Sequence, residues 1–470
     1  MSYTTTVGLE VHAELNTKSK MFCGCKNEPH DAEANTNICP VCLAHPGTLP
    51  VPNQQAIEMV LMFGQAVGAN IATYSEFDRK NYFYPDIPKA YQISQYAFPF
   101  LSGGQLEGIE LTRVHLEEDT ARSQHDKGEN SLVDFNRSGV PLMELVTEPV
   151  IHDAETAGKF ARELQLMLRT LGISNANMER GEMRVEANIS VSKVSNVFGT
   201  KVEVKNINSF KSVESAIAYE VERQIELLEK GEVVKQETRG WDENRSRTFS
   251  QRSKETAKDY RYFPDPDLTK MDISKYPAFS SALLAEKMSV LPSKKRELYS
   301  NLGLPSDVVE TIISQSDLDT YFTNLVSLDL SEELLKLSAN YLTSDVVSVR
   351  NNSEKTLTEL DINHFVELMT LLSESKIGSR VAKDLLPELF GSKQSPLQLA
   401  QERGLLQVSD GDALQVVIDE IVSENETVVA EYRAGKDAAL QFLVGQGMKK
   451  TKGTANPAVF REMLIKTIDK

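Results

Sequence analysis

The 470-residue chain carries only one tryptophan and four cysteines, and all four cysteines fall between positions 23 and 42. In a cytosolic chain such thiols are not expected to pair as disulfides. Long apolar runs are missing too: none approaches the roughly 18 residues a membrane helix needs. The opening Met1-Ser2-Tyr3-Thr4 leads straight into a strand pattern. It lacks the basic-then-apolar order of a signal peptide, so the cytoplasm is the expected compartment. No Walker A loop is present, and no G-x-G-x-x-G opens a helix after a strand, which excludes the two commonest phosphate cradles. No Gly/Ser-rich amidase stretch occurs, and no Ser or Cys is placed as a nucleophile beside a histidine. The chain is therefore not expected to make its own ammonia from an amide. Positive charge is also short. A net charge of −17 excludes indiscriminate nucleic-acid binding over the whole surface, so any RNA contact must be local.

What is present begins with size. A chain of this length holds about three domains on the usual length prior. The front half alternates strands and helices. Val7, Leu9, Val11, Ala13 and Leu15 take one face of a period-2 strand and leave Glu10, His12 and Glu14 on the other. A second strand puts Arg184, Glu186 and Asn188 on its polar face, and a third alternates Val202 and Val204 with Lys201, Glu203 and Lys205. Helices are expected after the capping residues Asn53 and Asp153, and from about 212 to 230, the last two stopping at Gly172 and Gly231. Beyond Pro292 the β alternation fades and Leu/Val periodicity near 3.6 takes over, with a Gly/Ser/Pro break at 391–396. The predicted fold class is α+β, with a β-rich domain over 1–292, a helical domain over 293–404 and a helical tail over 405–470.

Four groupings bear on chemistry. Cys23-Gly24-Cys25 and Cys39-Pro40-Val41-Cys42, separated by thirteen residues, form either a four-thiolate structural zinc site or a set of buried thiols. Glu10, His12 and Glu144 lie on strand faces, and carboxylates with one imidazole suit a hard cation such as Mg²⁺ or Mn²⁺. Glu117 and Asp119, in contrast, read as surface acids on a polar strand face. Residues 77–95 hold five aromatics, three cations (Arg79, Lys80, Lys89) and two prolines. Such a loop either lines a site, aromatics on bases and cations on phosphates, or packs as a Pro-rich crossover. Finally, Lys449, Lys450, Lys452, Arg461, Lys466 and Lys470 face only Glu462 and Asp469 in the last 26 residues, either as an RNA-binding island or as a solvated helix end. The first three sit between Gly447 and Gly453, where a helix break would free backbone N–H groups for phosphate.

The motifs Val7-Gly8-Leu9-Glu10-Val11-His12, Phe77-Asp78-Arg79-Lys80-Asn81-Tyr82-Phe83-Tyr84-Pro85-Asp86, Lys89-Ala90-Tyr91-Gln92-Ile93-Ser94-Gln95 and His115-Leu116-Glu117-Glu118-Asp119 resemble the GatB family, the B-subunit family of the aspartyl/glutamyl-tRNA amidotransferases. So do Gly199-Thr200-Lys201, Lys205-Asn206-Ile207-Asn208-Ser209-Phe210, Asp259-Tyr260-Arg261-Tyr262-Phe263-Pro264, and the closing Lys452-Gly453 with Ala455-Asn456-Pro457. The match runs in order through essentially the whole chain. It departs at Met183, Val185 and Glu186, where the family usually carries Leu, Cys and Asp, and at Asp265, where it usually carries Glu.

The resemblance implies a cradle-like kinase domain that uses ATP to phosphorylate the side-chain carboxylate of Glu or Asp mischarged on tRNA-Gln or tRNA-Asn. Ammonia then arrives through a channel from an amidase (glutaminase) partner, and a small third protein bridges the two to complete a heterotrimer. It implies that Glu10, His12, Glu118 and Glu144 hold Mg²⁺, that the four cysteines hold Zn²⁺, and that the helical and tail domains bind tRNA. Phosphoryl transfer needs positioned cations, which Lys80, Lys89 and Arg184 would add, with Tyr82 beside them at the nucleotide. Two other readings stand beside this one: a stand-alone ATP-dependent carboxylate–amine ligase, and a non-catalytic RNA-binding module with a zinc knuckle.

Overall fold

The computed structural model describes residues 3–124, 130–194, 197–253, 260–407, 411–451 and 455–469. The chain divides into two compact units, residues 1–292 and 293–470. The first is mixed α+β around one large sheet, and the second is helical.

The sheet forms because its strands alternate apolar and polar residues, so that one face is driven under helices and the other is left for polar groups. Its main strands are β1 (Thr4–Glu14), β4 (Ile109–Glu118), β5 (Pro141–Thr147), β6 (Met183–Ser192), β7 (Val202–Ile207), β8 (Glu237–Asp242) and β9 (Arg247–Ser253), while β2 (Asp78–Asn81) and β3 (Tyr91–Ser94) belong to a separate small sheet. The order is β9-β8-β7-β6-β1-β5-β4, followed by the short strands Leu101–Ser102 and Asn70–Ile71. Neighbours run antiparallel except β7 and β8, which are parallel.

Val7, Leu9, Val11 and Ala13 of β1 are essentially inaccessible and join a core with Met143, Leu145, Val185, Ala187 and Ile189 from its two neighbours. Helices cover that face. Helix α1 (Gln54–Ala66) is capped by Asn53, whose side chain accepts from the N–H groups of Gln55 and Ala56. Helix α2 (Ala154–Thr170) starts at Asp153, whose carboxylate accepts from Thr156 N–H. It buries Phe160, Leu164 and Leu168 completely, and truncating Phe160 to alanine would cost about 3–5 kcal/mol. Helix α3 (Phe210–Glu229), capped by Ser209, packs on β6, β7 and β9. The opposite face of the sheet is therefore free to carry charge.

The small sheet is built from the aromatic loop region. β2 and β3 pair as a hairpin, and a third strand, β10 (Phe263–Pro264), adds antiparallel to β2 with Phe263 opposite Arg79. β3 is held on the end of β4. Leu116 N–H donates to Gln95 Oε1 at 3.1 Å, and Gln92 Nε2 donates to the Glu118 carbonyl at 2.5 Å.

In the second unit, the last four helices (Gly411–Glu424, Glu426–Arg433, Asp437–Lys450 and Pro457–Ile468) share a core of Leu414, Ile418, Val429, Leu443, Phe460 and Leu464. No helix among the described residues is long and apolar enough to cross a membrane.

Candidate active site

The antiparallel register assembles the site in rows across the polar face of the sheet. His12 on β1 lies opposite Glu144 on β5 and Arg184 on β6, and Glu144 lies opposite His115 on β4. One step along, Glu10 lies opposite Glu186. These side chains line a cavity of about 480 Å³, which Glu117, Asp119, Glu203, Lys80, Lys205 and Tyr82 complete.

Glu144 is the centre of the charge pattern. Its Oε2 stands 3.4 Å from the Nε2 atoms of both His12 and His115, and Arg113 Nη2 is 3.5 Å from Oε1. Burial opposes its charge, yet the two imidazoles outweigh that and hold its carboxyl well below the usual range. His12 also stands 3.8 Å from Glu117 and 4.0 Å from Glu10. Burial works against its charged form as well, but the hydrogen bond and charge of Glu144 win and raise the imidazole to about 9. Glu10 is pushed up to about 7, first by burial and then by the charges of Glu144 and Glu186. Burial of Lys80 is outweighed by the Glu117 carboxylate 3.6 Å away, which holds the ammonium well above its usual value.

The donor set fits a hard divalent cation. Glu10, His12 and Glu144 can bring one ligand atom each within 4.8 Å of one another, as can His115, Glu117 and Glu144, and Glu10, Glu186 and Glu203. Glu117 Oε2 is buried without a hydrogen-bond partner among the described residues, and burial together with the charges of Glu144 and Glu186 resists ionisation of Glu10. A cation among these oxygens would answer both. Surrounding bonds fix the donors: Lys205 Nζ lies 2.7 Å from Glu186 Oε2, and Thr238 Oγ1 donates to Glu203 Oε2 at 2.8 Å.

The adjacent acids of β4 fall differently from expectation. Glu117 and Asp119, read as surface acids, are 2% and 4% exposed and line the cavity. Glu118, expected to hold Mg²⁺, does not join the cluster, because successive side chains of a strand point to opposite faces. Its carboxylate meets Lys89 Nζ at 2.6 Å and accepts from Ile93 N–H at 2.9 Å. Glu118 and Lys89 line a separate cavity of about 280 Å³ with Cys23, Cys42 and Tyr91. Lys89 lines this second cavity and not the acid cavity. The parity of His115 with Glu117 is the signal in the sequence that these two side chains share one face of the strand. Arg184 does reach the cavity, held by Asp119 at 2.5 Å, which Arg137 also approaches at 3.7 Å. Lys80 and Tyr82 line the same cavity, the Tyr82 hydroxyl donating to Gln92 Oε1 at 3.2 Å.

The four cysteines converge, with all their sulfur atoms within 4.8 Å of one another. Cys39 Sγ and Cys42 Sγ are 3.8 Å apart, which matches the roughly 3.8 Å edge of a tetrahedron with Zn–S bonds of about 2.3 Å. Donors surround the thiols: Cys39 N–H reaches Cys42 Sγ at 3.2 Å and the fully buried Lys20 ammonium stands 3.9 Å from it. The hydrogen bond from Cys23, opposed by burial and aided by Lys20, lowers the Cys42 thiol to about 5. Four sulfurs leave no open position, so zinc here would be structural.

The tail differs from its sequence reading in one respect. Helix Asp437–Lys450 ends inside the expected interval between Gly447 and Gly453, past a Gly447 buried against the Phe460 ring, and a helix ending there frees carbonyls and not N–H groups. Lys450 is committed to Glu420 at 3.0 Å and Glu424 at 2.7 Å, whereas Lys449 is exposed. Lys452, and Asp259 of the aromatic motif, lie outside the described residues.

With this geometry in place, the comparisons with known proteins agree with one another. The GatB/GatE catalytic domain family matches residues 5–277, and the GatB domain family matches residues 320–468. The aspartyl/glutamyl-tRNA(Asn/Gln) amidotransferase B-subunit of Gloeothece citriformis is 41% identical, covering 99% of this chain and 98% of that protein. The corresponding proteins of Thermodesulfovibrio yellowstonii and Moorella thermoacetica are each 42% identical, with 100% and 99% of both chains covered.

Proposed function

Because the chain belongs to the GatB family of the aspartyl/glutamyl-tRNA amidotransferases, we propose that it is the ATP-using, tRNA-binding component of a glutamine-dependent ligase. Its substrate is Glu or Asp mischarged on tRNA-Gln or tRNA-Asn. The observation that carries this reading is the row of Glu10, His12, Glu117 and Glu144 across neighbouring strands, facing Lys80 in one cavity. An amidase partner supplies ammonia from glutamine, and a small third protein bridges the two.

The chemistry divides into two steps. A side-chain carboxylate oxygen of the aminoacyl group forms a bond to the γ-phosphorus of ATP and ADP leaves. Ammonia then attacks the acyl carbon, phosphate leaves, and the amide remains on the tRNA. Mg²⁺ held by Glu10, His12, Glu117 and Glu144 would neutralise charge on the transferring phosphoryl group. Lys80 adds a fixed cation beside that cluster, and Arg184, oriented by Asp119, adds a second. Lys205 and Thr238 keep Glu186 and Glu203 in place. Burial of Glu117 and Glu144 limits water at their end of the cavity, which an acyl phosphate requires. The cradle of this kinase domain is the polar face of the sheet closed by the small aromatic sheet. The helical second unit holds the tRNA body, with Lys449 as one phosphate contact, and the four cysteines hold a structural zinc.

The test uses the complete heterotrimer with glutamine. ATP hydrolysis should rise on addition of mischarged Glu-tRNA, and hydroxylamine should trap the activated side chain as a hydroxamate. ATP turnover indifferent to mischarged tRNA, with no trapped product, would remove the reading.

A further inference from the structure

One wall of the acid cavity is made of tyrosine. Tyr82, Tyr96, Tyr260 and Tyr262 all line it, and they form a continuous row. Tyr82 meets Tyr260 edge-on at 5.8 Å between ring centroids, and Tyr260 meets Tyr262 at 6.0 Å. Tyr262 lies flat against Tyr96 at 4.5 Å with 12° between the planes. Rings recruited only to fill a core would be buried, but Tyr96 is 51% exposed and the other three are half-buried. Lys80 joins this wall to the acid floor, its Nζ lying 5.4 Å from the Tyr260 ring and 3.6 Å from Glu117.

The row is assembled from two segments far apart in the chain, and the structure commits polar groups to holding them together. Asn81 N–H and Nδ2 donate to the Tyr260 carbonyl at 2.9 and 3.1 Å, and Nδ2 also donates to the Arg261 carbonyl at 2.9 Å. Arg261 itself sits at φ 46°, a left-handed conformation that non-glycine residues seldom adopt. Arg79 clamps the same segment from its other end, through Asp265 at 2.8 Å and Asp267 at 2.9 Å. A clamp of this kind turns the rings of Tyr260 and Tyr262 toward a cavity where the apolar core cannot reach them. Burial raises the hydroxyls of Tyr82 and Tyr262 above their ordinary value, so the rings stay neutral.

We propose that the row Tyr82-Tyr260-Tyr262-Tyr96 is a stacking platform for an adenine base whose substrate extends to the acid floor. The proposal rests on the functional reading above and deepens it. Two reactants of that chemistry carry adenine: ATP, and the 3′-terminal adenosine of the aminoacyl-tRNA, whose ribose bears the residue to be amidated. Aromatic faces accept either.

The experiment measures KM and kcat for ATP and for Glu-tRNA separately in the assembled enzyme carrying Tyr96→Leu, Tyr262→Leu or Tyr262→Phe. Loss of one base stack corresponds to a rise of about 5- to 150-fold in the half-saturating concentration. Both leucine variants should show such a rise for one reactant, with kcat changed less, and Tyr262→Phe should stay near wild type because it keeps the ring. A rise confined to Glu-tRNA, abolished when the terminal adenine is replaced by an abasic ribose, assigns the terminal adenosine; a rise confined to ATP assigns the nucleotide. Unchanged KM values for both reactants in the leucine variants would overturn the platform, as would a Tyr262→Phe defect equal to that of Tyr262→Leu. Tyr96 is exposed enough that its variant should fold even where Tyr262→Leu does not. Calorimetric binding of ATP and of a short RNA ending in CCA, without turnover, keeps the two readings apart. Wild type that binds an adenine ligand through these rings yet transfers no amide would remove the functional reading and leave the platform standing.

Discussion

Replacing Glu117 by glutamine should weaken Mg²⁺ binding and raise the Mg²⁺ concentration the reaction needs, and replacing its neighbour Glu118 should not. Glu117 is 2% exposed, 3.8 Å from His12 and 3.6 Å from Lys80, inside the group that could hold a divalent cation. Glutamine keeps the shape and removes one charge. Two unit charges about 4 Å apart, at an effective dielectric of about 20, interact by about 4 kcal/mol, and a divalent cation doubles that. The amide oxygen and water retain most of the interaction, so about a quarter of the doubled figure is the expected loss, roughly 2 kcal/mol or ~30-fold in Mg²⁺ affinity. Glu118→Gln removes a charge whose partner is Lys89, in the other cavity. Its effect should fall on rate or stability with the Mg²⁺ midpoint unmoved. The assay is glutamine-dependent conversion of Glu-tRNA by the assembled enzyme, titrated with Mg²⁺ for wild type and both variants. Equal midpoints for wild type and Glu117→Gln, or a shift as large in Glu118→Gln, would refute the assignment of faces.

Glu144→Gln and His12→Ala should lower amide formation on tRNA at least ~10²-fold while leaving tRNA binding nearly unchanged, since both face the cation group and not the RNA. Freshly purified protein should carry about one zinc per chain, and Cys39→Ser should shed it and melt at lower temperature; metal analysis without zinc in the wild type would defeat the knuckle. Deleting residues 405–470 should raise the half-saturating tRNA concentration and flatten its salt dependence, by about 0.7–0.9 in log–log slope per lost phosphate contact. Because Lys450 is paired with Glu420 and Glu424, Lys449→Ala should weaken binding more than Lys450→Ala, and the reverse order would count against the tail geometry. Asp153→Ala should cost about 1 kcal/mol by removing the cap of α2. The Thr156 N–H holds that carboxyl below its ordinary value, so the wild-type advantage exists above the ordinary carboxylate range and fades as pH falls through the lowered one. An undiminished difference in melting temperature at about pH 2 would contradict this.

Local pattern carried much of the outcome. Period-2 alternation alone placed Glu10 and His12 on the polar face of β1, since side-chain direction in a strand needs no tertiary information. Asn53 and Asp153 marked the starts of their helices because a cap acts on the nearest N–H groups. The paired cysteines announced their cluster through spacing, and the loss of alternation near Pro292 announced the helical unit. What remained belonged to contacts between distant segments. Whether Glu117 or Glu118 meets His12 depends on the register of β4 against β5, and that register is set by the buried face of the whole sheet. Glu117 and Asp119 looked like solvent-facing acids until Lys80, Arg184 and Arg137 arrived from three other places to offset their burial. The commitment of Lys450 to acids on another helix could not be read from a basic run. The tyrosine wall joins residues 82 and 96 to 260 and 262 through the pairing of β2 with β10, a contact no local propensity encodes.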